Sequence, residues 1–373
     1  MKFKSGSTAQ LLLLCAGYFV AYVIYAMCSK YFTDIIKMPQ FNYLYNNTVS
    51  SSAICVVIVL VLGWIALLAQ NSNRLVAVGN FHIPAEVSWI AISGVCTAVV
   101  IPATTLLYTI GISVMVAQVI MRGTVIVISR IVDAVQIKQG LLTKRVYREE
   151  NIAVLFALLA VASVMLLYPV AVFLNNHGAT IPNWLGVNLD KDAHPFVFIK
   201  STLAMVILIL YTLAYAIRLY IMNWYKNTRK PDKTDNRGYF AVEQVSASLT
   251  MVVIGAFFFF APQLIQWQPV QILDWREAVL HPNLSAILSG IPYAGVAFFS
   301  VFLFMFKGRT ATFAGLANRL TSLLAGILAT LLLWRFFGLR FPSIADWVAV
   351  LFVLIAVYYM RRAEIKRMAE QPA

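Results

Sequence analysis

The sequence predicts an all-α polytopic membrane protein with ten transmembrane helices in two inverted five-helix repeats, and three observations lead there. The first is composition: of 373 residues, 61% are apolar and 12% are charged. Ordinary soluble domains are roughly 45–50% apolar and about 25% charged, so a single water-excluded core could not hide this much apolar surface. The second is a series of apolar runs, each near the length of about 20 residues that crosses the hydrocarbon of a bilayer. The third is the return of similar segments at a nearly constant spacing. The same composition excludes a disordered chain, a collagen-like chain and a disulfide-stapled module.

The ten runs lie at about 9–29, 48–70, 86–108, 111–134, 151–174, 196–222, 239–262, 284–306, 310–334 and 343–360. The first follows Lys2 and Lys4 as a signal peptide would, but its apolar stretch is too long for a signal h-region and nine more runs follow, so it reads as a retained anchor. Transmembrane strands are excluded because Ala153–Leu167 and Leu323–Leu333 are apolar on every face, without the alternation a barrel strand shows. Cys15, Cys28, Cys55 and Cys96 sit in or beside apolar runs with no C-x-x-C pair, and read as small apolar fillers.

The net charge is +14. With both termini in the cytoplasm, eighteen Lys and Arg fall in cytoplasmic segments, six in external ones and five within helices. That is the bias of the positive-inside rule. The basic balance therefore records topology, and no nucleic-acid partner is expected. A bacterial inner membrane is the expected location, with the bilayer and a small-molecule substrate as partners, and the chain a monomer or homodimer.

Internal repetition divides the chain into an N-terminal unit, 1–175, and a C-terminal unit, 195–373, joined by an external loop at 175–195. Ile152–Val161 and Val348–Val357 agree at seven of ten positions, 196 residues apart. At an offset of 197, Ala117 meets Ala314, Arg122 meets Arg319 and Thr124 meets Thr321, and Asn46 and Asn47 stand opposite Glu243 and Gln244. Lys30 and Arg218 correspond at a shorter offset, near the ends of helices 1 and 6. An odd number of helices per repeat inverts the second half. A binding site is then expected near the midplane where the halves meet.

The segment Val116-Ala-Gln-Val-Ile-Met-Arg-Gly-Thr-Val-Ile-Val-Ile-Ser-Arg130, then Lys144-Arg-Val-Tyr147 and an apolar helix, with Phe313-Ala-Gly-Leu-Ala-Asn-Arg-Leu-Thr-Ser322 in the second half, resembles the drug/metabolite transporter superfamily. That superfamily includes the EamA-type exporters and the nucleotide-sugar and triose-phosphate transporters. The resemblance implies secondary transport by a ten-helix fold, with basic residues of helices 4 and 9 binding an anionic substrate.

Arg122 and Arg319 are the leading candidates on the residues alone. At 1.5 Å per residue they lie roughly 17 Å and 14 Å into their helices, near mid-membrane, where an ionisable group is costly and usually functional. Guanidinium offers carboxylate or phosphate a planar fork that stays charged. The alternative is that each arginine pairs with a buried carboxylate and locks the bundle. Gln118, Arg122, Ser129 and Asp133 share one face of helix 4. Thr312, Gly315, Arg319, Ser322, Gly326 and Thr330 share one face of helix 9, with Asn318 beside Arg319.

Arg130 and Asp133 stand three apart, the spacing of an ion pair. Glu243 is a candidate for coupling or, preferably, for balancing a cavity arginine, and Asp133 joins it as a second acid. Lys30 and Arg218 could snorkel or contact substrate. Tyr22, Tyr25, Tyr211, Tyr215 and Tyr293 could line a route or simply pack, and Pro102 and Pro292 could kink gating hairpins. His177, Asp190, Asp192 and His194 share the 175–195 loop without a metal-ligand spacing. With no P-loop and no H-E-x-x-H, no cofactor, metal or enzymatic activity is expected. The function predicted is alternating-access secondary transport of a small anionic metabolite such as a sugar phosphate, nucleotide sugar or organic acid. A membrane-embedded transferase acting on a lipid-linked substrate and a non-transporting scaffold are the competing classes.

Overall fold

The computed structural model describes residues 7–70, 72, 74–78, 81–109, 114–142, 146–178, 180, 202–229, 236–339, 341–342 and 344–370. Helix α1, Thr8–Lys30, starts at Ser7, whose hydroxyl accepts from the Gln10 N–H at 3.3 Å, and runs into a π-helical turn, Tyr31–Ile35. Then come α2 (Gln40–Val61), α3 (Trp64–Gln70) and a two-stranded antiparallel hairpin of β1 (Leu75–Val78) and β2 (Phe81–Pro84). They lead into α4 (Val87–Thr109), α5 (Val114–Lys138) and α6 (Arg148–Asn176). The second part has α7 (Thr202–Thr228), α8 (Asn236–Leu264), α9 (Val270–Leu280), α10 (Leu284–Leu288), α11 (Gly290–Phe304), α12 (Ala311–Phe337) and α13 (Ile344–Glu370).

This is an all-α polytopic membrane protein. Among the described residues, seven helical spans are long and apolar enough to cross a bilayer, or eight when the bent α6 counts as one. The outside of the bundle is aliphatic, with Val61 78%, Val252 66% and Leu249 64% exposed. Such a surface is stable only against hydrocarbon. The fourth and tenth apolar runs fall on α5 and α13, helices of 25 and 27 residues that include side chains outside the described set and are not in that count. Likewise, beyond Gly178 and Thr180 the joining loop up to 195 lies outside the described residues.

Three local features depart from the expected runs. The second run, read as 48–70, is two helices. α2 already begins at Gln40, and the chain turns at Gly63, whose φ of +62° is a conformation glycine adopts without strain. The interval 263–282, expected as loop, holds α9, whose Trp275 donates its indole N–H to the Gly255 carbonyl at 3.2 Å. And α6 is bent by 41° between Ser163 and Met165. Pro169 supplies no N–H to the Met165 carbonyl and its ring crowds it, which opens the helix there.

The helices cross between the two parts of the chain. α1 lies against α11 and α12, and α7 against α4 and α5; α2 packs on α11 and α4 on α8; α2 meets α8, α5 meets α12 and α6 meets α13. At two of these crossings, residues 196 apart touch each other: the hydroxyls of Ser52 and Ser248, and the rings of Phe156 and Phe352 with centroids 6.2 Å apart. Two glycines permit the tightest approaches. A Cβ at Gly94 would stand 2.5 Å from Ser246 Cβ and 2.6 Å from the Glu243 carbonyl; one at Gly290 would stand 1.8 Å from Ser50 Oγ and 2.4 Å from the Asn47 carbonyl. The partners of the two glycines are themselves 196 residues apart.

Both ends of the described chain lie on one side of the bundle, where Thr8 Oγ1 donates to Glu364 Oε1 at 3.1 Å. That side carries a buried ionic network. Arg309 pairs with Glu364, Arg367 with Glu364 and Glu150, and Lys366 with Glu149, while Thr310 Oγ1 donates to Glu150 at 2.9 Å. Burial draws Arg309, in the turn before α12, below the ordinary guanidinium value, and Glu364 opposes that shift.

Candidate functional site

A cavity of about 60 Å³ lies where α1, α4, α5, α7, α11 and α12 converge. Its wall is made of Tyr18 and Tyr22 from α1, Thr97, Val100, Ile101 and Thr104 from α4, and Met121 from α5. The other side is Tyr211, Tyr215 and Arg218 from α7, Tyr293, Val296, Ala297 and Ser300 from α11, and Arg319 from α12. Helical spacing places them: Tyr18 and Tyr22, Tyr211 and Tyr215, and Thr97, Ile101 and Thr104 recur every three or four residues on one face.

Arg319 stacks its guanidinium over the Tyr215 ring at 4.7 Å, and its Nε and Nη2 find no hydrogen-bond acceptor among the described residues. Arg122 stacks in the same way over Tyr22 at 5.0 Å, but it is 1% exposed and is not part of the wall. Of the two arginines expected to bind the substrate, Arg319 lines this cavity, whereas at Arg122's place the wall is Tyr22, the ring over which Arg122 lies. The electron-rich ring face attracts each cation without using its N–H donors.

Arg218 reaches the wall from α7, and its back is held by Glu243 of α8. Arg218 Nε donates to Glu243 Oε1 at 2.9 Å and Nη2 to Oε2 at 3.1 Å; Ser93 Oγ and Thr97 Oγ1 donate to Oε1 at 2.7 and 3.2 Å. Tyr239 OH in turn donates to Ser93 Oγ at 2.8 Å. Glu243 thus balances Arg218 rather than Arg122 or Arg319, and it has no exposed surface.

The bundle contains a neutral version of this cage. Asn47 Nδ2 donates to Ser289 Oγ at 3.2 Å and to Tyr43 OH at 3.3 Å. Asn47, Ser289 and Tyr43 each precede or follow Glu243, Ser93 and Tyr239 by 196 residues. Nearby in sequence to α1's cavity tyrosines, Tyr25 stacks on Tyr293 with centroids 4.4 Å apart, and its hydroxyl meets Thr105 Oγ1 at 3.2 Å. The pairing of Asn46 with Glu243 read from the sequence is one residue out of register, since Asn47 makes the corresponding contacts.

The remaining sequence candidates divide as follows. Tyr211 and Tyr215 are on the wall. Asn318 is one layer behind, accepting from Tyr18 OH at 3.3 Å and donating to Ser300 Oγ at 3.1 Å. Ser322 turns its hydroxyl back to the Arg319 carbonyl at 2.9 Å and does not reach the cavity. Lys30 is at the far end of α1, paired with Asp34 at 2.8 Å, and is also away from it. The side chain of Gln118 lies outside the described residues.

Asp133 does not pair with Arg130. It caps α12, taking the N–H groups of Ala311 and Thr312 at 2.9 and 2.6 Å; two main-chain donors at a helix start attract a carboxylate more strongly than a side chain one turn away. Pro102 lies within α4, and Pro292 near the start of α11 faces an apolar groove on the outer surface rather than the cavity. No group of three or more His, Cys, Asp or Glu able to hold a metal occurs among the described residues, and Asp190, Asp192 and His194 lie outside them.

Sequence reasoning missed Tyr18, Thr97, Thr104, Ser93 and Ser300. A signal existed for the first: Tyr18-Phe-Val-Ala-Tyr22-Val-Ile24 and Tyr211-Thr-Leu-Ala-Tyr215-Ala-Ile217 share Tyr-x-x-Ala-Tyr-x-Ile. These are the segments that place the two arginine-stacking tyrosines.

No family model matches the chain, and no curated protein matches it either. Twenty-one chains of solved structures do match. One is a crystal structure of a protein 15% identical in sequence, superposing with a TM-score of 0.52 over 96% of this chain and 100% of that one. The chain is thus similar in fold, along nearly its whole length, to a protein whose structure is known.

Proposed function

We propose that the protein is a secondary transporter of the drug/metabolite transporter type, with ten spans in two inverted five-helix halves that alternately expose the central cavity to the two sides of the membrane. Its cargo is a small anionic metabolite: a sugar phosphate, nucleotide sugar or organic acid. The observation that carries this reading is Arg319, a buried cation on a cavity wall with two donors lacking an acceptor among the described residues. An uncompensated charge at that depth costs several kcal/mol, and an anion is what would relieve it.

The inverted repeat is supported by the crossings at positions 196 apart and by the two cages, one charged and one neutral. A cavity of about 60 Å³ is far below the several hundred Å³ of ordinary ligand pockets, so the helices around it would have to part to admit such a cargo. The excess of lysine and arginine in the segments sharing a side with the termini supports both termini being cytoplasmic; the membrane proposed is a bacterial inner membrane.

Uptake into proteoliposomes, measured across sugar phosphates, nucleotide sugars, organic acids and amino acids, tests the reading. Arg319→Ala should reduce uptake of the transported anion about ten- to a hundredfold, the value of a charge-assisted hydrogen bond. Arg122→Ala should reduce it less, through Tyr22. Anion uptake equal in wild type and both variants would overturn the assignment.

A further inference from the structure

The cavity wall holds two cations that differ in what stands behind them. Arg319 has a tyrosine ring, and Arg218 has a carboxylate that engages it through two nitrogens. Glu243 is fully enclosed and accepts from Arg218, Ser93 and Thr97. Seen from the cavity, the Arg218–Glu243 pair is close to neutral, because opposite charges at hydrogen-bond distance cancel over longer range.

The fold does not need that charge for packing. The corresponding cage of Asn47, Ser289 and Tyr43 joins α2 to the start of α11 through a neutral amide. Gly290 approaches Asn47 and Ser50 there as Gly94 approaches Glu243 and Ser246. A buried ion pair contributes little net stability relative to a well-packed neutral substitute. The carboxylate therefore acts on something else in reach of Arg218, and the cavity is what Arg218 faces.

We infer that Glu243 sets the charge number of the anion the cavity accepts: by cancelling Arg218 it leaves Arg319 as the uncompensated wall cation, so a monoanionic group is favoured over a dianionic group of the same shape. The inference rests on the anion-transport reading and deepens it. Glu243 is a specificity-determining residue acting through Arg218, and it need not touch the substrate. Without the carboxylate, the wall has a second full positive charge, and a dianion gains from it about twice what a monoanion does.

The test uses the full chain in proteoliposomes and two matched pairs of anions, succinamate with succinate and the methyl diester of glycerol 3-phosphate with glycerol 3-phosphate itself, at a pH where each is fully ionised. Uptake of each pair is measured for wild type, Glu243→Gln and the double variant Arg218→Tyr with Glu243→Asn, which removes both charges of the pair. Wild type should favour the monoanion of a pair.

One unit of charge acting over about 9 Å at an effective dielectric of about 20 shifts the ratio on the order of twentyfold, and Glu243→Gln should move it that far toward the dianion. The double variant has the net charge of wild type and should return to the wild-type preference, which a purely structural role for the pair would not produce. If Glu243→Gln does not fold, Glu243→Asn replaces it with the residue the neutral cage already uses. A folded, transporting single variant with an unmoved ratio, or single and double variants shifted alike, overturns the inference alone. Wild type that moves none of these anions nor any member of the wider panel overturns it together with the transport reading.

Discussion

Replacing Asp133 by alanine should unfold the protein several degrees earlier, because that carboxylate closes the start of the helix that carries Arg319. The first N–H groups of α12 have no partner within the helix. Ala311 and Thr312 donate to the two oxygens of Asp133 at 2.9 and 2.6 Å, and Phe313 donates to Thr310 Oγ1 at 3.1 Å. Asp133 has no exposed surface, so water would not readily replace it. Each buried donor left without an acceptor costs about 1–3 kcal/mol, and the lost attraction to the helix N-terminus adds up to about 1–2 kcal/mol. Alanine should therefore cost roughly 2–8 kcal/mol.

Asparagine keeps one acceptor oxygen in the same place and should cost about 1–2 kcal/mol. Far-ultraviolet circular dichroism during heating, on protein purified in detergent, orders the three forms as wild type, Asp133→Asn and Asp133→Ala. Alanine and wild type melting together would refute the cap. An asparagine variant as stable as wild type but unable to transport would instead put Asp133 in the transport step itself.

Two further outcomes follow from the crossings. Alanine at Gly290 should destabilise the bundle by about 1–3 kcal/mol, because the new Cβ would stand 2.4 Å from the Asn47 carbonyl, where ordinary contact begins near 3.4 Å; Gly94→Ala should behave alike, and melting at the wild-type temperature in both would show that these helices do not approach so closely. Cysteines replacing both Ser52 and Ser248, whose hydroxyls touch, should form a disulfide under mild oxidation, counted as two lost thiols by mass spectrometry. Persistence of both thiols would remove the α2–α8 crossing.

The sequence discloses what depends on long stretches and conceals what depends on docking. Apolar runs locate most of the helices because hydrocarbon demands them over about 20 residues at a time. The start of α2 escaped because Gln40, Asn42, Asn46 and Asn47 look like a loop. In the structure Asn46 and Asn47 are buried, with Asn46 Oδ1 accepting from the Asn283 N–H at 3.0 Å and Asn47 bonding Ser289. The β1–β2 hairpin is too short for its alternation to stand out.

Depth along a helix was enough to single out Arg122 and Arg319, but not to say which of them faces open space, since that turns on a tyrosine of another helix. Asp133 shares a face with Arg122 by periodicity. Its actual partner, the start of α12, is nearly 180 residues away in sequence and is visible only when the helices are assembled.

The ionic network around Arg309, Glu364, Arg367 and Glu150 makes the two ends of the bundle unequal. On that side, charges from α6, α13 and the turn before α12 interlock. At the other end the described ties between helices are mostly neutral: Asn46 with Asn283, Asn47 with Ser289, and the rings of Tyr31 and Phe337 with centroids 5.5 Å apart, beside one cation, Arg276, over the Phe259 ring. The described ion pairs there, Lys30 with Asp34 and His281 with Glu277, are each local to one stretch of chain. Pulling the charged end apart requires rehydrating several ions at once, and taking away a single member strands its partners, whereas trading the whole set for apolar side chains would do less harm. Because those ions are sheltered, added salt should barely loosen them. Separating helices at the other end carries no such penalty.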